Sequence, residues 1–272
     1  MNTFNSPEIP TAAINIFSKT MGHEFIVNIL FPPVKSSGNQ RFKVLFLNDG
    51  QDLQQLQLRE TLSNLYSQNK IEPIIVVAIN ADERMHEYGI ASRPDYKKRG
   101  NLASGYSKFI TAELMPFINY NYPTLIGIDN AAFAGFSLGG LSALDIVWNH
   151  PDHFGKAGVF SGSLWWRRKD LQNGYKESDR IMHDKIRRSK KRDGLKFWFQ
   201  TGTHDETHDR NNNGVIDSID DTLDLIHELK KKGYDDRDIA YREIQNGTHD
   251  FRTWSAVMPD FLTWAFGKQH SS

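Results

Sequence analysis

The sequence predicts an α/β fold, a mostly parallel sheet of about eight strands with helices on both faces. Three observations carry that expectation. Apolar runs of strand length alternate with segments in which apolar residues recur at helical spacing. The run Gly135-Phe136-Ser137-Leu138-Gly139-Gly140 stands where one such strand meets one such helix. With 272 residues, 39% of them hydrophobic and 12% aromatic, the chain is long enough to bury one large core, and no Pro/Gly/Ser-rich linker divides it. The expectation is a single domain over residues 1–272.

Residues 13–17 and 25–31 are separated by a turn at Met21-Gly22-His23 and read as an antiparallel hairpin at a sheet edge. Strand candidates follow at residues 42–47, 73–79, 131–136, 157–160, 197–200 and 239–244. Helical patterns lie between them at residues 58–66, 106–118, 138–148, 221–232 and 251–266. In such a sheet the chemistry gathers at the carboxyl ends of the parallel strands. No internal repeat or low-complexity tract interrupts the order.

Charge and cysteine content narrow the classes of partner. The 33 basic and 33 acidic residues cancel, so no long-range field draws the protein to nucleic acid or an anionic membrane. The basic cluster Arg187, Arg188, Lys190, Lys191 and Arg192 reads as the solvated end of a surface helix. Without cysteine, a disulfide framework, a thiolate metal site and a cysteine nucleophile are excluded. Residues 1–12 show neither a basic start nor an apolar run, and no stretch approaches the roughly 18 apolar residues of a membrane span. A cytoplasmic location is expected, with a small-molecule or saccharide-linked ester as partner.

Ser137 is the candidate nucleophile. A serine on a sharp strand-to-helix turn is held in a strained conformation with its hydroxyl exposed, and the flanking glycines make room for that turn. Its chemistry needs a base to take the hydroxyl proton and a carboxylate to orient the base. Of the ten histidines, His249 lies in a turn between the last strand and the last helix, within Asn246-Gly247-Thr248-His249-Asp250-Phe251. The acid should follow the preceding strand, where Thr203-His204-Asp205-Glu206 stands; Asp205 is the first choice and Glu206 the reserve. The oxyanion of an acyl-transfer intermediate needs backbone N–H donors. Leu138 offers one at the start of its helix, and Gln51, after the turn Asn48-Asp49-Gly50, is the candidate for the other. No cofactor is required for this chemistry.

These residues resemble the Putative esterase family of α/β-hydrolases, which includes enterochelin esterases, feruloyl esterase domains and, more distantly, mycolyltransferases and S-formylglutathione hydrolase. The likeness runs from Asp49-Gly50-Gln51 through Tyr106 and Glu113-Leu114-Met115-Pro116-Phe117-Ile118 to the Ser137 run. It continues through Ser161-Gly162-Ser163 and Gly247-Thr248-His249-Asp250-Phe251 with Trp254. The resemblance implies the α/β-hydrolase fold, Asp205 as acid within Gly202-Thr203-His204-Asp205, His249 as base and Gln51 as second oxyanion donor. Leucine after the nucleophile, where S-formylglutathione hydrolases carry methionine, and the lack of cysteine disfavour that activity.

Substrate contacts are expected from the long polar segment 84–100, which holds Arg84 and Tyr88, and from an aromatic wall at Trp165 and Trp166. A further motif matches a calcium loop: oxygen donors at Asp209, Asn211, Asn213, Val215 (through its carbonyl) and Asp217, with Gly214 at the turn position. Asp220 stands where such loops carry a bidentate glutamate, and a strand enters, so the motif reads either as a lone dockerin-like loop with a structural calcium or as an Asn/Asp/Gly-rich turn without metal. The leading functional expectation is a serine hydrolase that cleaves a carboxylic ester through an acyl-enzyme. An acyltransferase using the same triad and a non-catalytic calcium-dependent interaction module are the alternatives.

Overall fold

The computed structural model of the protein describes residues 7–34 and 40–268, so the expectation placed on residues 1–6 lies outside the described residues. Strands β1 (Thr11–Phe17) and β2 (Glu24–Leu30) form the expected hairpin. They are followed by β3 (Lys43–Asn48), α1 (Leu58–Ser67), β4 (Ile74–Ile79), α2 (Arg84–Glu87), α3 (Ala103–Lys108) and α4 (Met115–Asn121). The chain continues through β5 (Ala131–Phe136), α5 (Leu138–Asn149), β6 (Lys156–Phe160), α6 (Ile181–Arg188), β7 (Lys196–His204), α7 (Asp217–Lys231), β8 (Ile239–Thr248) and α8 (Phe251–Phe266). The eight strands lie in one sheet in the order β1-β2-β4-β3-β5-β6-β7-β8. Pairing is antiparallel from β1 to β2 and from β2 to β4, and parallel from β4 through β8.

The central strands carry no polar alternation because both faces are covered. Val44 and Phe46 of β3 point into one apolar layer with Phe133, Phe154 and Trp148, whereas Leu45 and Leu47 point into the other with Trp254, Phe261 and Leu262 of α8. Helix α5 is buried on every side over residues 138–148, which is why its sequence is apolar all round. Its one carboxylate, Asp145, is 1% exposed and is held by Lys185 of α6, by the Ala91 N–H at 2.9 Å and by Asn149 at 3.0 Å.

Several boundaries differ from the sequence-based ones. The pattern over 106–118 is the middle of a longer helical stretch, α3 and α4 joined by a π-helical turn at Phe109–Leu114. β7 and β8 extend to His204 and Thr248, because their last residues still pair with each other. α7 begins at Asp217, where Asp217 and Asp220 sit in the first turn and complement the helix dipole. Helix α6 shows only Ile181, Met182 and Ile186 as apolar anchors, too few for periodicity to reveal.

Candidate active site

Ser137 forms the turn between β5 and α5 with φ 54° and ψ −119°, a conformation L-residues rarely adopt. The strain is held by bonds on both sides: its N–H donates to Phe160 O at 2.8 Å and its carbonyl accepts from Ser163 N at 3.0 Å. The glycines of the motif serve close packing. A Cβ on Gly135 would run into the Gly139 carbonyl, and one on Gly139 would lie 2.7 Å from Asp49 Oδ2. The Ser137 hydroxyl has the Ser163 hydroxyl 3.4 Å away. Leu138 is the first helical residue, so its N–H has no intrahelical acceptor.

The turn after β3 abuts this helix start. Asn48 donates to Gly139 O at 2.8 Å and accepts from the Tyr106 hydroxyl at 2.7 Å. Asp49, at φ 61°, turns the chain so that Gly50 and Gln51 come next on a short 3-10 turn. Gln51 keeps its own side chain occupied, with Nε2 on Asp49 and Asp52 and Oε1 on Ala81 N. Asp49 is buried and takes both Nε (2.7 Å) and Nη2 (3.0 Å) of Arg84, whose Nη2 also donates to Phe136 O at 3.2 Å. Arg84 thus braces the carbonyl next to Ser137.

Asp205 and His249 are brought together by strand register. β7 and β8 pair in parallel, and a register shift after Gly202 brings His204 opposite Thr248, so the residues just past the two strand ends are Asp205 and His249. Asp205 Oδ2 accepts from Gly202 N at 2.9 Å, while Oδ1 is buried with no hydrogen-bond partner among the described residues. Burial raises the Asp205 pKa above the ordinary carboxylate value, opposed by the Gly202 N–H, by the Ser161 hydroxyl and by the charge of His249. Partial burial of the imidazole lowers the His249 pKa, opposed by the Asp205 charge and assisted by that of Arg84. The lowered pKa favours the neutral imidazole. Trp254 ties the two halves of the site: its ring lies 5.2 Å from that of His249 and 5.1 Å from that of Phe136, and its Nε1 donates to Ser161 Oγ at 3.0 Å. The reserve acid Glu206 faces away, toward His208 at 3.1 Å.

The expected substrate residues divide. Tyr88 and Trp166 are fully buried and offer no surface, which corrects the expectation that they face a ligand. The Tyr88 hydroxyl accepts from Asp49 N at 3.0 Å, and the Trp166 indole donates to Arg93 O at 3.1 Å beneath Gly89 and Gly100. These contacts make the segment 88–100 a packed layer rather than a free lid. Trp165 stays half-exposed beside a groove of about 340 Å³ that also touches Tyr96, Arg99, Arg167, Glu206 and His208. Arg99 and Arg167 stack on its ring at 4.8 and 5.9 Å. A more apolar cavity of about 180 Å³ opens near Val44 and Ala131, at the amino ends of β3 and β5, the end opposite Ser137.

In the loop after Asp205, the Asp209 carboxylate accepts from Asn213 N at 3.1 Å and Gly214 N at 2.8 Å. The Asn211 and Asn213 side chains both reach Asp220 Oδ2, at 2.9 and 2.7 Å. Asp217 is turned aside to Arg210, whose N–H lies 2.9 Å from its Oδ1. Ser161, Asn48 and the Asp49–Arg84 pair are the site residues that motif reading passed over; the signals were Ser161-Gly162-Ser163 and the polar run Asn48-Asp49 closing an apolar strand.

Comparison with known proteins agrees with this fold. YbbA of Bacillus subtilis (strain 168), itself uncharacterized, is 23% identical over 248 residues, covering 90% of this chain and 93% of its own. The iron(III) enterobactin esterase of Escherichia coli (strain K12) is 24% identical over 251 residues, 92% of this chain and 55% of its own. Among solved structures, the Shigella flexneri enterobactin esterase superimposes with a TM-score of 0.72 at 22% identity, covering 95% of this chain and 60% of that one. The chain thus spans about three fifths of that structure's length. The Anaeromyces mucronatus ferulic acid esterase, solved with ferulic acid, gives a TM-score of 0.68 at 20% identity over 97% of this chain and 93% of that one. The sheet is that of the α/β-hydrolase fold. Among the described residues no helix is long and apolar enough to cross a membrane. The Putative esterase family matches residues 18–265, nearly the whole chain, and the protein belongs to that family.

Proposed function

We propose that this chain hydrolyses a carboxylic ester through an acyl-enzyme, with Ser137 as nucleophile, His249 as base and Asp205 as its orienting acid. The observation that carries the reading is that Asp205 and His249 each follow a paired strand end, with Trp254 packed against both His249 and Phe136, the neighbour of the strained Ser137. In the mechanism His249 takes the Ser137 proton as the hydroxyl oxygen attacks the ester carbonyl. Asp205 accepts from the imidazole Nδ1–H and so leaves Nε2 free for that proton. The N–H groups of Leu138 and Gln51 donate to the oxyanion, and the start of α5 adds its dipole. The imidazolium returns the proton to the leaving alcohol, and water, activated by the same histidine, releases the acid.

The Trp165 groove, aromatic with Arg99 and Arg167 stacked on its wall, fits an aryl acyl group. The related proteins named for enterobactin and ferulic acid support that substrate class. A panel of p-nitrophenyl esters of graded acyl length, extended to aryl esters, tests the activity. Ser137→Ala should lower turnover by at least about a thousandfold; hydrolysis that survives the substitution overturns the proposal.

We further propose a structural calcium in the loop 209–220, held by Asp209, Asn211, Asn213, the Val215 carbonyl and Asp220, with Asp217 acting through water. Support comes from the alternating Asp and Asn side chains, folded into one compact loop by the Asn211 and Asn213 amide N–H bonds to Asp220 and the Gly214 N–H bond to Asp209. The loop begins four residues past Asp205 and would stiffen the segment that carries the acid. Millimolar calcium should raise the melting temperature, and Asp209→Ala should abolish the rise. An unchanged melting temperature of the unaltered protein overturns the site.

A further inference from the structure

At the end of α2, three side chains that the ester chemistry does not use come together. His23 lies in the β1–β2 turn, Asp82 follows β4 and Glu87 ends α2, and one donor atom from each lies within 4.8 Å of the other two. Glu87 is 0% exposed, yet its Oε1 has no hydrogen-bond partner among the described residues. That oxygen faces His23 Nε2 at 3.2 Å. Burying a carboxylate oxygen without a donor is costly unless a positive charge meets it. Asp82 Oδ2 lies 3.8 Å from the other ring nitrogen, Nδ1, so a second negative charge borders the same imidazole.

The surroundings are those of a metal ligand set. His23 Nδ1 lies 3.2 Å from Glu24 O, and a proton shared there leaves the Nε2 lone pair directed at Glu87. The other Glu87 oxygen, Oε2, accepts from Asp82 N at 3.1 Å and fixes the carboxylate plane. An imidazole with two carboxylates is a nitrogen and oxygen donor set suited to zinc-type cations, with a fourth position left for water.

We propose that His23, Asp82 and Glu87 bind a divalent transition-metal cation of the zinc type and so clamp the edge hairpin onto α2. The clamp reaches the candidate active site through α2, because Arg84 on that helix holds Asp49 and the Phe136 carbonyl. The cation does not take part in ester chemistry, and the site goes beyond the esterase reading.

Isothermal titration of the full chain, stripped with EDTA and freed of the chelator, with zinc chloride tests it without any ester present. A failure here therefore leaves the esterase proposal untouched. One equivalent of zinc should bind with micromolar affinity and raise the melting temperature. Because the chain has ten histidines, the assignment rests on variants: His23→Ala and Glu87→Gln should each weaken that binding at least about tenfold. Asp82→Asn, at a side chain 67% exposed and so tolerant of change, should weaken it in a protein that folds as before. Absence of binding at millimolar zinc, or binding undiminished in Asp82→Asn and His23→Ala, overturns the proposal.

Discussion

Replacing Asp205 by asparagine tests the hydrogen-bond logic of the site more sharply than removing the nucleophile. Gly202 N donates to Asp205 Oδ2 at 2.9 Å, and asparagine has one oxygen to offer that donor. The side-chain amide is therefore fixed with its oxygen on Gly202 and its NH2 directed at His249. The imidazole must then accept at Nδ1 and carry its proton on Nε2, the nitrogen that has to take the Ser137 proton. Shape is kept while the tautomer is wrong, and the expected loss is about ten-thousandfold in kcat, or about 5.4 kcal/mol at 1.36 kcal/mol per decade. The assay is steady-state p-nitrophenyl acetate hydrolysis, with the melting temperature as a fold control. Glu206→Gln, at a carboxylate on the groove wall that pairs with His208, should cost at least about a hundredfold less than Asp205→Asn. A loss under about tenfold for Asp205→Asn, or an equal loss for Glu206→Gln, would refute the assignment of the acid.

The rate should also report the state of His249. Because burial lowers its pKa, kcat/KM should rise with pH as the imidazolium loses its proton, with a midpoint below the ordinary 6.5; a midpoint above that value contradicts the picture. The Asp205 charge opposes the lowering, so in Asp205→Asn the residual activity should titrate at lower pH still. Arg84→Met strands the buried Asp49 carboxylate and should cost about 2–4 kcal/mol, the low end favoured because 33% of the arginine side chain meets water. Chemical denaturation measures it, and Asp49→Asn in the same chain should recover part of the loss; no loss in the single variant would show that the pair does not hold the turn.

The centre of the fold was the easiest part to read. Strands β3 through β6 lie under two apolar layers, so Val44 to Leu47 and Ala131 to Phe136 appear as unbroken apolar runs with no competing pattern. The turn that lifts Ser137 was legible because close packing demands glycine at 135 and 139. The ends of β7 and β8 were not: Gly202-Thr203 and Gln245-Asn246-Gly247-Thr248 have turn-forming side chains, Asn246 takes a left-handed φ of 58°, and the pairing resumes only after a register shift. Long-range burial was equally hidden. Nothing local distinguishes Trp166, sealed under Gly89 and Gly100, from Trp165 beside the groove. Likewise Arg84 reads as a substrate contact until Asp49, 35 residues earlier, is found holding its guanidinium.

β8 has a neighbour on one side only, and the imidazole hangs from its tip. Side chains of successive residues in a strand point to opposite faces, so a slip of one position along β7 would turn His249 away from its acid with every residue still present. Peripheral strands also open more readily than central ones. Ser137 is anchored in the middle of the sheet and His249 at the margin, so under the proposed mechanism loosening that margin alone would end activity while the rest of the molecule stayed folded.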